Sequence, residues 1–155
     1  MSELKPESVT ILIDTREGRP FDPSPMKAEG ATLQTGDYTI KGLEDYVRCE
    51  RKELGDLITC MTTGRDRFKR ELERLKAFPK RLVVVEASWL DLAEGNYRSE
   101  LHHNSATGAV ESWSGFYQVG FMFCGQRRAA QEFVNGYLFK IAKSYHTQIQ
   151  RFGGE

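Results

Sequence analysis

Hydrophobic and polar positions change period along the chain, and each change predicts an element. Val9, Thr10, Ile11, Leu12 and Ile13 form a short β-branched run ending at Asp14, the pattern of a buried strand. Pro20, Pro23 and Pro25 mark a loop, and residues 32–34 are expected to start a second strand. Thr35, Gly36 and Asp37 make a turn into a strand at 38–40, which Lys41 and Gly42 break. Residues 46–51 alternate again and read as the next strand of a meander.

The period then becomes helical. Leu54, Leu57, Ile58 and Met61 fall at i, i+3, i+4 and i+7, and Thr62, Thr63 and Gly64 end that helix. Phe68, Leu72 and Leu75 line a second, heavily charged helix that Pro79 stops. Leu82, Val83, Val84 and Val85 are fully apolar, as in a central parallel strand. Ser88 is placed to cap a short helix carrying Leu90 and Leu92 and closing at Gly95. Residues 96–108 read as irregular. A helix at 109–118 turns Val110, Trp113 and either Phe116 or Tyr117 inward, and a strand follows at 121–124. The long helix 126–145 presents Ala130, Phe133, Tyr137 and Ile141, and the tail ending in Gly153 and Gly154 is expected to fray. Strands first, then alternating helices and strands, predict an α/β sandwich: a mixed central sheet with helices on both faces. Nothing divides it, so residues 1–155 read as one domain with a core at about 8–146.

Composition narrows the class. At 39% hydrophobic and 28% charged, the chain is ordinary for a globular domain. No apolar run approaches the ~18 residues of a membrane span, and the opening residues lack the apolar stretch of a secretory signal. Cys49, Cys60 and Cys124 are odd in number and form no CxxC pair, which argues against disulfides and structural zinc. Each is expected to pack as a small hydrophobe in a reducing, cytoplasmic setting. Net charge is zero, yet residues 1–50 carry six Lys/Arg against ten Asp/Glu and residues 51–155 carry sixteen against twelve. An acidic half beside a basic half suits a carboxylate site next to a phosphate-binding surface; charge alone also fits ordinary fluctuation.

The first candidate chemistry is Asp37 with Glu50 and Lys52. On a strand at 46–52, Glu50 and Lys52 share a face, and the turn at Asp37 leads into the neighbouring strand. Two carboxylates with a lysine one pleat away suit metal-assisted phosphodiester hydrolysis. The acids would hold Mg2+ or Mn2+, while Lys52 orients or deprotonates water or stabilises developing charge. The triplet alone fits a solvated strand face better.

Four segments in order change that balance: Ile11-Leu12-Ile13-Asp14-Thr15-Arg16-Glu17, then Gly36-Asp37-Tyr38, then Glu50-Arg51-Lys52-x-x-x-Asp56, then Gly64-Arg65. With these, the chain resembles the XPF-type nuclease family, whose signature is GD, a spacer and ERKxxxD. Weaker similarity continues through Leu82–Glu86 and the last helix. The resemblance implies a restriction-endonuclease-like PD-(D/E)XK core and a Mg2+- or Mn2+-dependent DNA endonuclease. It implies that Asp37 and Glu50, with Asp14, hold metal, and that Lys52 is the catalytic lysine. Arg51 and Asp56 join the catalytic set, and Arg16 and Glu17 sit around the site toward DNA. Asp56 is open to three readings: a partner for Arg51 or Lys52, a second-metal ligand, or a first-turn acid complementing the helix dipole. Arg16 and Glu17 also fit a local ion pair.

One departure concerns an arginine followed, four residues later, by glutamine in the family. Gly64-Arg65 keeps the spacing from Lys52. Glu71 stands for the glutamine, and counting back from it selects Arg67. Both Arg65 and Arg67 remain candidates for DNA phosphate. The same helix carries Lys69, Arg70, Arg74 and Lys76, which fit either phosphate contact or a solvated face with Glu71 and Glu73 as ion-pair partners. Arg127, beside Arg128 at the start of the last helix, is a further phosphate candidate.

His102 and His103 lack ligand partners at metal spacing and read as loop, and no Walker A, GxGxxG or GxSxG pattern occurs. The aromatics Trp113, Phe116, Tyr117, Phe121 and Phe123 read as core. The resemblance further implies branched DNA as substrate (flap, fork or junction), roles in repair or recombination, and a homodimer or a heterodimer with a second subunit. The chain leaves no room for the helix-hairpin-helix module of larger members and is closest in plan to compact phage and bacterial ones. The rival reading is an inactive relative that binds DNA or a partner, against which the intact Asp37, Glu50 and Lys52 argue.

Overall fold

The computed structural model describes residues 3–153. One six-stranded sheet runs in the order β2-β1-β3-β4-β5-β6, with β1 at Thr10–Asp14, β2 at Lys27–Ala31, β3 at Tyr38–Ile40, β4 at Val47–Lys52, β5 at Lys80–Val85 and β6 at Gly120–Phe123. Only β3 runs against its neighbours; β1–β2, β4–β5 and β5–β6 are parallel pairs. The C-terminal ends of β1 and β4 therefore meet the N-terminal end of β3 at one edge.

Helices α1 (Leu54–Met61), α2 (Arg65–Leu75), α3 (Trp89–Ala93) and α4 (His103–Tyr117) cover one face, packing Leu57, Phe68, Leu72, Leu92 and Trp113 against Val83 and Val85. Helix α5 (Arg127–Arg151) covers the other, packing Ala130, Val134 and Leu138 against Ile11, Ile13, Tyr38, Val47, Cys49 and Val84. The alternation along β4 and β5 is thus read by two separate cores, which fixes the register: a one-residue slip would exchange every side chain between them. The apolar β5 lies between two parallel neighbours, as its composition requires. Ser88 caps α3 in a reciprocal pair with Asp91.

Several expectations need correction. The second strand is Lys27–Ala31, not 32–34. It is an exposed edge strand held by backbone pairing to β1, so no buried face imprints a pattern on it. Helix α4 starts at His103, inside the stretch read as irregular; His102 is its N-cap, its Nδ1 accepting from the Asn104 amide. Asn104, Ser105, Thr107 and Gly108 are weak helix formers, and the buried Ala106 is held by packing rather than propensity. Tyr117, not Phe116, turns inward, and Phe116 is 72% exposed. Phe121 and Phe123 are only half-buried. The buried line of α5 is Ala130, Val134, Leu138 and Ala142, one residue beyond Phe133, Tyr137 and Ile141, which are half-buried. That helix runs to Arg151, past the expected end at 145. Cys49 and Cys60 are buried, whereas Cys124 is half-exposed. The expected fray covers Gly153 and Gly154, of which Gly154 lies outside the described residues.

Candidate active site

Gly36 sets the geometry. Its φ of +78° is open to glycine, and a Cβ there would meet the Cβ of Arg48 and the carbonyl oxygen of Cys49 at 3.2 Å. This close approach lets the Asp37 amide donate to the Cys49 carbonyl (2.7 Å), while the Asp37 carbonyl accepts from the Asp14 amide (2.9 Å). Asp37 is therefore locked between β1 and β4. Its Oδ2 accepts from the backbone N–H of Arg51 (2.8 Å).

Along β4, Val47 and Cys49 join the core under α5, so Glu50 and Lys52 face α1 and α2. Glu50 is 5% exposed. The Lys52 Nζ lies 3.4 Å from Glu50 Oε2 and 5.2 Å from the ring centroid of Phe68 on α2. Asp37 and Glu50 are in side-chain contact. Burial raises the Asp37 carboxyl to about 6, the approach of Glu17 adding to it against the Arg51 amide. Burial, then Asp37 and Glu71, pushes Glu50 well above the usual carboxylate range. Burial opposes the charge on Lys52, but Glu50, Cys60, Glu71 and Asp37 outweigh it and hold the ammonium above the ordinary lysine value. Lys52 is thus a fixed cation, suited to donating hydrogen bonds and stabilising developing negative charge.

Arg51 points through the sheet to the opposite face. Its Nε donates to Glu17 Oε2 and its Nη1 to Glu86 Oε2, both at 2.8 Å. Glu17 also accepts from the Tyr38 hydroxyl (2.7 Å), which accepts from the Phe21 amide. Glu86 meets Arg127 Nη1 at 3.5 Å. The side chains of Arg51, Glu17 and Glu86 are 11%, 9% and 8% exposed. Arg16 and Glu17 do not pair with each other: Arg16 Nε bonds Asp14 Oδ2 at 2.9 Å and its Nη2 bonds the Leu33 carbonyl, while Glu17 belongs to Arg51.

The structure brings Asp37, Glu50 and Lys52 together. It anchors Asp14 beside them, with Oδ2 on Arg16 and Oδ1 on the Leu33 amide (3.1 Å). Asp56 is exposed in the first turn of α1 and bonds neither Arg51, which pairs with Glu17, Glu86 and Glu53, nor Lys52, which pairs with Glu50. Its placement fits the dipole reading. Glu17 is buried under Arg51 and does not face outward. Arg65 is exposed but engaged, its guanidinium 5.6 Å from the Trp113 ring and 3.4 Å from the Met61 carbonyl. Arg67 is exposed and makes no ion pair among the described residues. Arg67, Arg70 and Arg74 fall at i, i+3 and i+7, a single stripe along α2, and among the described residues the only ion pair made from that helix joins Glu73 to Lys76 at its C-cap (3.5 Å). Arg127 is a strut: Nη2 donates to the Arg19 and Pro20 carbonyls, and the guanidinium lies 5.0 Å from the Phe21 ring. At the same helix start Arg128 is the outward cation, its side chain 85% exposed.

Two residues of this arrangement were given no place in the site from sequence. Glu86 follows the apolar β5 at the same sheet edge, and an acid at the end of a central parallel strand was its signal. Glu71, read as standing for the family glutamine and as a surface ion-pair partner, contacts Glu50. Its signal was its position three residues after Phe68, on the buried side of α2.

Residues 13–151 match the ERCC4 domain. The chain belongs to the ERCC4 domain family. Among solved structures, this ERCC4 domain is similar to XPF from Aeropyrum pernix, with a TM-score of 0.68 and 21% identity over 86% of this chain and 61% of that one. It is also similar to XPF from Aeropyrum pernix in complex with DNA, with a TM-score of 0.67 and 20% identity over 87% of this chain and 65% of that one. The chain thus spans less than two thirds of the length of either. No curated protein matches at significance. The mixed sheet flanked by helices is that of the XPF nuclease domain, a restriction-endonuclease-like fold. No helix among the described residues is long and apolar enough to cross a membrane.

Proposed function

We propose that this ERCC4 domain is a divalent-metal-dependent endodeoxyribonuclease acting on branched DNA. The observation that carries the reading is the convergence of Asp37, Glu50 and Lys52 where β4 ends. Three or more metal-ligating side chains do not gather into a cage among the described residues. Two buried carboxylates facing one ammonium nevertheless leave negative charge uncompensated, which fits Mg2+ or Mn2+. Mg2+ commonly takes one or two carboxylates and fills its shell with water and substrate phosphate. Asp37 and Glu50 would hold the ion, which when bound supplies an activated water and charge neutralisation at the scissile phosphate. Lys52 donates to the oxygen that gains charge. The Arg67, Arg70 and Arg74 stripe supplies phosphate contacts along the approach.

We place a second subunit on the outer side of α5, where Phe133, Tyr137 and Ile141 open with Tyr46 onto a groove of about 650 Å³. Sedimentation at rising concentration tests it.

The deciding experiment is a gel assay of the pure protein with Mg2+ and with Mn2+ on labelled duplex, single strand, flap, fork and four-way junction. Cleavage confined to branched substrates supports the reading, and cleavage of every substrate removes the structural specificity. Lys52→Ala should retain the fold and lose cleavage. DNA binding without cleavage by the wild type, in either metal, would leave a binding subunit in its place.

A further inference from the structure

Helix α2 buries Phe68, Leu72 and Leu75, and Glu71 lies beside them, three residues after Phe68 and four before Leu75. Phe68 carries the Lys52 ammonium over its ring, and Lys52 leads to Glu50. Glu71 reaches into that group and meets the Glu50 side chain in hydrogen-bonding contact. It does so although Arg67, four residues before, and Arg74, three after, stand at ion-pair spacing and make no ion pair among the described residues. An exposed pairing is thus forgone for a half-buried contact between like charges. Ion pairs on a helix surface stabilise only weakly, whereas two carboxylates in contact repel strongly unless something positive is shared between them.

We propose that Glu71 is a positioning residue of this site, holding the Glu50 carboxylate in place and adding charge that raises affinity for a divalent cation. The inference rests on the metal-site reading above. Asp37, Glu50 and Glu71 against Lys52 leave two negative charges uncompensated, the complement of one divalent ion. Glu71 acts through Glu50, since the three acids do not close into a cage. Glutamine here would preserve the hydrogen-bonding shape and remove the charge.

Calorimetric titration of the DNA-free protein with Mn2+ at mildly alkaline pH, on wild type, Glu71→Gln, Glu71→Ala and Glu50→Gln, tests this. Thermal midpoints are taken in EDTA alongside. The expected result is binding by wild type and roughly 10–100-fold weaker binding by Glu71→Gln, the range for residues that orient a metal ligand. The metal-free midpoint of Glu71→Gln should equal or exceed that of wild type, because a like charge is removed. A purely structural residue would do the reverse, lowering the midpoint and leaving affinity unchanged, and that result overturns the proposal. Should Glu71→Ala fail to fold, the near-isosteric Glu71→Gln carries the test. No Mn2+ binding by wild type, or undiminished binding by Glu50→Gln, would sink the metal-site reading itself, and the inference with it. Wild-type affinity in Glu71→Gln, with Glu50→Gln impaired, would sink the role of Glu71 alone.

Discussion

Replacing Asp37 with asparagine should stabilise the metal-free protein while abolishing cleavage. The Asp37 carboxyl is raised from 3.8 to about 6, mainly by burial. For an acid whose folded value is raised, the folded state binds the proton more tightly than the unfolded one. Below pH 3.8 both states are protonated and no stability is lost. Between 3.8 and about 6 stability falls as pH rises, and above about 6 the full cost stands. That cost is roughly 3 kcal/mol. Asparagine still accepts from the Arg51 amide, and the charge-assisted part of that bond is already contained in the net rise. The expected gain is therefore about 3 kcal/mol, or about 6–12 °C in thermal midpoint for a chain of this size. Because Asp37 and Glu50 face each other, the variant reports on the pair, and relief of Glu50 is part of the gain. The assay is thermal unfolding in EDTA at a series of pH values, repeated with Mg2+. Wild type should gain from Mg2+ by mass action and the variant should not. The reasoning is refuted if the variant is less stable than wild type in EDTA at mildly alkaline pH. It is equally refuted if the gain fails to shrink toward pH 4.

Three further outcomes follow from the same contacts. Arg51→Lys removes the fork that reaches both Glu17 and Glu86, and leaving buried acids unpaired should cost roughly 3–5 kcal/mol by denaturant unfolding; a loss below ~1 kcal/mol would mean the network contributes nothing. Alanine at Arg67, Arg70 and Arg74 should weaken DNA binding and lower the salt slope by about one per lost phosphate contact, measured by fluorescence anisotropy with unchanged unfolding. Arg127→Ala should lower the thermal midpoint more than DNA affinity, whereas Arg128→Ala should leave the midpoint unchanged, since only Arg127 ties α5 to the Arg19 and Pro20 carbonyls and to Glu86.

The chain wrote down clearly those elements that bury a face. β1 and β5 were readable as short unbroken apolar runs, β4 by its alternation and α1 by its 3.6-residue period, and Asp37, Glu50 and Lys52 because alternation places two of them together. What burial does not touch left no trace. β2 is held by backbone pairing and one exposed ion pair from Glu29 to Lys41, and the first turns of α4 contain residues that choose helix only because Ala106 packs. The family resemblance supplied the roles of Asp14, Arg51 and Asp56, but spacing could not tell which face each would take. Glu17 and Arg127 are read toward DNA and turn inward. In each case the deciding partner, Arg51 or the backbone near Pro20, lies far away in sequence.

The division of labour across β4 explains why three successive charged residues occupy one strand end. Glu50 and Lys52 on one face cannot be positioned by each other alone, since an ion pair at 3.4 Å between flexible side chains fixes little. Arg51, between them, is gripped from below by Glu17 and Glu86 at 2.8 Å, and Glu17 is itself held by Tyr38 at the start of β3. The same residue's amide donates to Asp37. A rigid Arg51 therefore fixes Asp37 through its backbone and fixes the strand carrying Glu50 and Lys52 through its side chain. A buried ion network is weak ground for net stability, because desolvation offsets most of its attraction. Its value here is orientational. It holds the mutually repelling acids on the other face at a spacing they would not keep by themselves, as the proposed cation site requires.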